Sequence, residues 1–448
     1  MRLTLFVLIF KISIISGQEI QNDIFGFATS NTFTFCDVED TFFINKVQKI
    51  NPQILRFPGG AVGNFYHFGK SGYGFDFAEI DKFHNGKFPK RARGLENKRK
   101  KNKDTHDYID DFIVLAKETC EKAVLVANPF NDDDSDIILM IEKLHKNNIQ
   151  VVGVELGSEL SNRSYFLNGY TIDDYISFAQ RCSKNIKNKF PSLKTAVVAA
   201  PLGKKKGHRH NIWNTKLAAL DFYDAIIIHS YAKVTKGKSL DGQMVSEEVE
   251  TSNKSEAFEM YKYRTVNYFK NIYANEVQEY SNIYKKPIWV TEWNLQISKI
   301  TSNTLLQGLF VAQYLLEVFT NPKFSSIELT TFHNLGGRDF GGSIFRNNQK
   351  KIEIQSTFYP MMMIGKIFEN NVEKIEKEND AEILRYKCYN KDSELVLIYQ
   401  LDWELYQFSC HYNFSASFAE SIVYKSSNLF DISDNLGLIE RKIYEPYE

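Results

Sequence analysis

Cysteine is sparse in this 448-residue chain, with five in all and no two spaced as Cys-x-x-Cys. Zinc-ribbon and thioredoxin-like sites therefore lack their ligands. Two readings stay open for the thiols: Cys388 pairs with Cys410 in the tail, or all five are small buried side chains. Net charge is absent as well, because 55 basic and 55 acidic residues cancel. A dedicated nucleic-acid binder carries a basic excess, so none is expected here. No apolar run approaches the ~20 residues of a bilayer-spanning helix, so no membrane span is expected. With only ten prolines there is no Pro-rich linker, and no low-complexity segment or internal repeat divides the chain. Its parts are expected to pack together rather than swing.

What is present is the composition of an ordinary folded protein, 43% hydrophobic and 25% charged. Aromatics reach 14%, which suits stacking on sugar rings and suits a large core equally. Met1-Arg2, the apolar run Leu3 to Phe10 and Ile12 to Gly17 read as a secretory signal cleaved near Gly17, residues 1–17. The mature protein is expected to be secreted or periplasmic. Asn162-Arg-Ser, Asn253-Lys-Ser and Asn413-Phe-Ser fit the glycosylation sequon. Nothing in the sequence speaks to oligomeric state.

Short apolar runs alternate with amphipathic stretches, the pattern of repeated β-α units around a parallel sheet. Eight strands are expected: Ile24 to Ala28, Gln53 to Phe57, Ala123 to Asn128, Val151 to Leu156, Lys194 to Ala200, Ala225 to Tyr231, Pro287 to Trp293 and Ser326 to His333. Asp107 to Thr119, Ile172 to Ile186 and Ser356 to Phe368 read as helices. Eight units over residues 18–370 fit an α/β fold of the (β/α)8 TIM-barrel type better than an open doubly wound sheet. From residue 371 to 448 closely spaced alternating strands predict a small antiparallel β domain.

In such a barrel the carboxyl ends of the strands face the active site. Strand four runs into Val154-Glu-Leu-Gly-Ser-Glu159, and strand seven ends in Trp289-Val-Thr-Glu292-Trp293-Asn294. Two carboxylates across a barrel mouth are what glycosidic cleavage requires: one protonates the leaving oxygen while the other attacks the anomeric carbon or activates water. With Ile228-His229-Ser-Tyr231 at the end of strand six, these segments resemble the retaining glycoside hydrolases of clan A. Leu55-Arg56-Phe-Pro-Gly-Gly60 and Glu155-Leu-Gly-Ser-Glu159 most resemble the α-L-arabinofuranosidases and, more distantly, the heparanase and β-glucuronidase group. The resemblance implies a general acid/base role for Glu159, a nucleophilic role for Glu292, and a tail domain that is a β-sandwich.

A nucleophilic Glu292 must stay ionised, and Arg56, His229 and Tyr231 arriving from neighbouring strand ends would favour its charged form. Trp293 and Tyr231 offer faces for a sugar ring, and His333-Asn334 at the end of strand eight offers polar contacts. His333 reads equally as a hydrogen-bonded structural residue. One position departs from the family pattern, which has Asn immediately before the acid/base glutamate, in contact with the sugar 2-hydroxyl. Here that position is Ser158. A shorter hydrogen bond from serine, a water in the gap, a substrate differing at that carbon, or a catalytically weak or inactive carbohydrate-binding homologue would each account for it.

Two basic clusters stand out against the zero net charge: Lys87 to Lys103 after strand two, and Lys204-Lys-Lys-Gly-His-Arg-His210 after strand five. They are solvated surface loops, or they border the cleft and attract an anionic polysaccharide. Asp132 to Asp136 reads as a helix N-terminus rather than a calcium site. The expected partner is a carbohydrate substrate, with no organic cofactor and no metal.

Overall fold

The computed structural model describes residues 20–443 apart from 85–89, 102–105, 132, 236, 239–243, 246–253, 299, 338–341, 380–382, 415–418 and 433–436. The expected signal segment lies outside the described residues. Eight parallel strands close into a barrel in sequence order: β1 Gly26–Ala28, β2 Ile54–Phe57, β3 Lys122–Val126, β4 Gln150–Leu156, β5 Lys194–Val198, β6 Ala225–Ala232, β7 Ile288–Leu295 and β8 Ile327–Phe332. All eight fall on the runs read from the sequence. Every residue of β2 and of β7 is buried, because helices cover the outside and side chains fill the inside. That double burial is why the strands read as continuous apolar runs.

At least one helix follows each strand, with further helices in the longer connections. The helices that lead into the next strand or, last, into the tail are α1 Thr41–Ile50, α2 Tyr108–Lys117, α3 Ser135–Lys146, α4 Ile172–Lys189, α5 Arg209–Ala218, α6 Ala274–Tyr284, α7 Leu305–Thr320 and α8 Phe358–Glu369. Local chemistry fixes several starts. Asp107 before α2 and Thr171 before α4 form reciprocal capping boxes with Asp110 and Asp174, satisfying orphan N–H groups at both ends of the exchange. Of the acidic stretch, residues 133–136 lead into α3 as expected, with Asp134 taken up by Arg181 at 3.2 Å, and Asp132 lies outside the described residues.

Between β8 and α8 a hairpin forms from β9 Phe345–Asn348 and β10 Lys351–Ile354. The tail is a six-stranded antiparallel meander: β11 Val372–Asn379, β12 Ile383–Asn390, β13 Leu395–Asp402, β14 Gln407–Tyr412, β15 Ala419–Lys425 and β16 Gly437–Ile443. The barrel with an antiparallel C-terminal β domain is thus the fold expected. Cys388 on β12 pairs across to Leu397 of β13, and Cys410 on β14 pairs to Tyr399 on the other side of β13. A whole strand between them means about 10 Å, beyond the ~7 Å that a disulfide spans. All five thiols are free, which corrects the pairing considered from sequence.

The tail docks on α7 and α8. All sixteen residues of α7 are buried, so the helix is apolar almost all round rather than amphipathic. Trp403 Nε1 donates to Gln313 Oε1 of α7 at 3.0 Å, Lys377 pairs with buried Glu317, Tyr399 donates to the Met363 carbonyl of α8 at 2.8 Å, and Tyr424 donates to the Ser356 carbonyl at 2.8 Å. A chain ending at residue 370 would expose the sheet-facing side of α7. We expect it to bind a hydrophobic dye strongly and to lack a cooperative melting transition by circular dichroism. A truncated chain that melts cooperatively, without dye binding, would show that the sheet is dispensable.

Candidate active site

The carboxyl ends of β2, β4, β6, β7 and β8 bring the expected side chains to one point at the barrel mouth. After β4 the chain turns sharply: Gly157 has φ +86° and Glu159 has φ +51°. A Cβ at Gly157 would approach Leu160 Cδ1 to 2.4 Å, so the turn needs glycine. Glu159, a non-glycine residue in the left-handed region, is held there by the surrounding structure. Its carboxyl returns to the mouth, where Oε1 lies 3.0 Å from His229 Nδ1 and Oε2 accepts from Asn162 Nδ2 at 2.9 Å.

Glu292 is aimed by a bulge. Along β6 and β7, Ile228 faces Val290 but His229 faces Glu292, leaving Thr291 as the extra residue. Bulges beside active sites commonly re-aim a side chain. Glu292 Oε1 accepts from Arg56 Nη1 at 2.9 Å, and Oε2 accepts from the Tyr231 hydroxyl at 2.6 Å. His229 Nδ1 is 3.5 Å from Oε2, and His333 Nε2 is 4.0 Å away. Burial alone would raise the carboxyl. The positive fields of His229, His333 and Arg56, with the Tyr231 hydrogen bond, outweigh it and hold Glu292 well below 4.5. Glu292 is thereby held ionised.

Arg56, fully buried, does more than touch Glu292. Its Nε and Nη2 grip Glu155 in a two-pronged contact at 2.6 and 2.8 Å, and Nη2 lies 3.4 Å from Ser158 Oγ. Burial opposes the charge of Arg56, but Glu155 and Glu292 together push its pKa up. Glu155 is the residue that sequence reasoning missed. It stood inside a quoted segment, and the available signal was a carboxylate on an otherwise apolar buried strand, which demands a cation.

Thr291 Oγ1 donates to Glu155 Oε2 at 3.2 Å and lies 3.3 Å from His229 Nε2. A hydroxyl that donates to Glu155 accepts from His229, so Nε2 carries a proton and Nδ1 faces Glu159. The Nδ1 to Oε1 contact then holds one proton between imidazole and carboxyl. Burial lowers His229, yet Glu292 and Glu159 together raise it above 6.5.

Three expected site residues take different roles. Trp293 is corrected: it is 1% exposed, stacks on Tyr314 of α7 at 3.8 Å between ring centroids, and donates to Thr330 Oγ1. It packs barrel against helix and offers no face to a sugar. Ser158 is fully buried, its backbone locked to Asn64 by two hydrogen bonds and its hydroxyl toward Arg56, so it sits beneath the carboxylates. Asn334 fastens the end of β8 to the β9 hairpin through its carbonyl and makes no side-chain hydrogen bond to either carboxylate among the described residues. His333 does belong to the site, buried edge-on to the Tyr231 ring at 6.0 Å. Asn162, a sequon residue in the sequence reading, has its amide engaged by Glu159.

Oxygen atoms of Glu159 and Glu292 and a ring nitrogen of His229 all lie within 4.8 Å of one another. A pocket of about 420 Å³ opens beside Glu159, His229 and Tyr231. The second basic cluster borders this face. Arg209 donates to the Ser161 carbonyl at 2.9 Å and lies over the Phe166 ring, while Lys204, Lys205 and Lys206 are exposed. The first cluster is not a loop throughout: Lys90–Lys101 is a helix, with Arg99 over the Phe77 ring at 5.0 Å. The rest of that cluster lies outside the described residues.

No protein-family model matches the chain, and no curated protein matches its sequence. Its fold does match solved structures. The GH51 α-L-arabinofuranosidase of Thermotoga petrophila superposes with a TM-score of 0.60 at 13% identity, over 95% of this chain and 93% of that one. The GH51 arabinofuranosidase of Xanthomonas axonopodis pv. citri gives 0.61 at 11% identity, over 96% and 95%. The 4-O-α-L-rhamnosyl-β-D-glucuronidase of Fusarium oxysporum gives 0.58 at 12%, over 95% and 89%. The chain therefore has the fold of these clan A glycoside hydrolases along nearly its whole length, in agreement with the resemblance seen in its strand-end segments.

The depressed Glu292 predicts a pH signature. A carboxylate held below its unfolded value contributes stability above that value, and the contribution is lost as pH falls through the folded one. Glu292→Gln is expected to be less stable than the parent above pH 4.5, with the gap closing in acid. Urea midpoints between about pH 3 and 7 read this directly. A gap that widens as pH falls contradicts the assignment.

Proposed function

We propose that the protein is a retaining glycoside hydrolase. The observation that carries this reading is the spacing of its two carboxyl groups, with oxygens within 4.8 Å. Retaining enzymes hold the pair ~5 to 5.5 Å apart, whereas inverting ones need ~6.5 to 9.5 Å for an intervening water. Glu292, ionised and clamped by Arg56 and Tyr231, attacks the anomeric carbon as the bond to the leaving oxygen breaks. Glu159 gives that oxygen the proton it shares with His229. The product of this step is a covalent glycosyl-enzyme on Glu292. Glu159, now a carboxylate, takes a proton from water as the water attacks the anomeric carbon from the vacated side, releasing Glu292 and a sugar of retained configuration. Arg56 and Glu155 position the nucleophile and take no part in proton transfer.

The experiment is turnover of aryl glycosides and oligosaccharides by the parent, Glu292→Gln and Glu159→Gln, with anomeric products followed by NMR. Glu292→Gln is expected to lose activity on every substrate. Glu159→Gln should lose about 10²- to 10⁴-fold on a sugar leaving group, and much less on an activated aryl group that departs without a proton. Binding of a glycan without turnover by the parent would replace this reading with that of a carbohydrate-binding homologue.

The protein, in this reading, is secreted or periplasmic, and its substrate is an anionic polysaccharide. The support is the exposed lysine trio Lys204 to Lys206 and Arg209, anchored two residues beyond Glu159, together with the N-terminal segment read as a secretory signal. Attraction of a polyanion is screened by salt, with a Debye length of ~10 Å at 0.1 M. KM for a uronate-rich or sulfated polymer is therefore expected to rise with ionic strength, and Lys204→Gln, Lys205→Gln and Lys206→Gln together should flatten that dependence. A KM indifferent to salt would exclude the anionic substrate.

A further inference from the structure

The pocket beside Glu159 runs away from the carboxylate pair into the gap between β5, β6 and the helix after β6. One face of that helical segment supplies a wall. Tyr268, Ile272, Glu276 and Tyr280 recur at four-residue steps and so share a face. A π-helical turn, Phe269–Tyr273, interrupts the helix where Ile272 reaches the pocket lip. Such turns are rare and are found most often at functional sites. The opposite wall is apolar, made by Val198, Ala199, Leu202 and Ile227.

The polar atoms of this lining are unequal. Tyr280 donates to the Ala200 carbonyl at 3.1 Å, and the Tyr268 hydroxyl meets Ser230 Oγ at 3.0 Å. Both tyrosines are thus occupied by the protein itself. Glu276, half-buried, receives no hydrogen bond and forms no ion pair with any described residue. A carboxyl group withdrawn from water without a partner is costly, so its place here asks for a ligand that supplies one. Burial, helped by Glu279 and opposed by Lys233, pushes Glu276 up to about 7. Near neutrality it can therefore both accept and donate, as a sugar's adjacent hydroxyls require.

We propose that this pocket is a subsite for an uncharged, hydroxyl-rich sugar on the leaving-group side of the reaction, with Glu276 as the group that recognises it. The proposal rests on the glycosidase reading. Its side is fixed by the lining: Glu159, which hands a proton to the departing oxygen, stands on the pocket wall, whereas Glu292 does not. Its charge preference follows from Glu276 together with Lys233, which also lines the pocket. The Lys233 ammonium and the Glu276 carboxyl offset each other, so the pair favours hydroxyls that accept from one and donate to the other over a uronate or sulfate, which Glu276 would repel. The anionic groups of a polymer would then lie toward Lys204 to Arg209, outside this pocket.

The test compares kcat/KM on a neutral disaccharide with that on a p-nitrophenyl glycoside of the same glycone, for the parent, Glu276→Ala and Glu276→Gln. The aryl group lacks the hydroxyls that Glu276 would hold. The ratio of disaccharide to aryl glycoside is expected to fall about tenfold in Glu276→Ala and to recover in part in Glu276→Gln, the scale of one hydrogen bond to an ionisable group. A ratio unchanged by Glu276→Ala, whether both rates drop together or neither moves, overturns the proposal, because a merely structural role shifts both alike. If the parent cleaves neither substrate, the glycosidase reading fails separately. Saturation-transfer NMR with cellobiose, xylobiose and glucuronic acid then decides for the pocket. Binding of a neutral disaccharide that Glu276→Ala abolishes supports a sugar pocket, whereas equal binding by the variant, or preference for glucuronic acid, removes it.

Discussion

The buried guanidinium of Arg56 organises the barrel mouth. It reaches Glu155 on β4 with two donors and Glu292 on β7 with a third, partners 99 and 236 residues away along the chain. Taking such charges out of water costs several kcal/mol per ion, recovered only when geometry is good and the remaining lone pairs are satisfied. Here they are: Thr291 adds a hydrogen bond to Glu155, and Tyr231 adds one to Glu292. Closure of the barrel is what brings β2, β4 and β7 to this common point. The cluster in turn gives each strand end a fixed place.

From that clamp follows the division of labour between the two glutamates. Glu292, 5% exposed in its side chain, is held well below the usual carboxylate range by His229, His333 and Arg56. Glu159, about a third exposed, meets neither arginine nor lysine among the described residues and is hydrogen-bonded to His229 Nδ1 instead. The two carboxyls are chemically alike, and their environments set them apart. Thr291 couples the halves, since one hydroxyl orients both Glu155 and His229.

Much of this was legible in the chain, and the reasons differ by element. The eight strands showed because a barrel strand covered on both faces must be apolar throughout. Glu159 and Glu292 showed because carboxylates at apolar strand ends are conspicuous. Trp293 misled: an indole beside Glu292 looked like a sugar platform, but alternation along β7 turns it outward to Tyr314. Glu155 and Asn162 stayed hidden inside segments read for other residues. Glu276 lies on a helix whose polar pattern is ordinary, and nothing local distinguishes it from a solvated glutamate.

The sequence by itself determined the order of strands and helices, the caps that begin α2 and α4, and the residue types present at each strand end, because these depend on local periodicity and near-neighbour hydrogen bonds. The tertiary structure decided which of those residues meet. The bulge at Thr291, the pairing of Arg56 with two distant carboxylates, the shared proton of Glu159 and the unpartnered carboxyl of Glu276 all arise from register and closure. Those depend on contacts between segments 62 to 236 residues apart, and no local pattern encodes the distance between two side chains that only the closed barrel brings together.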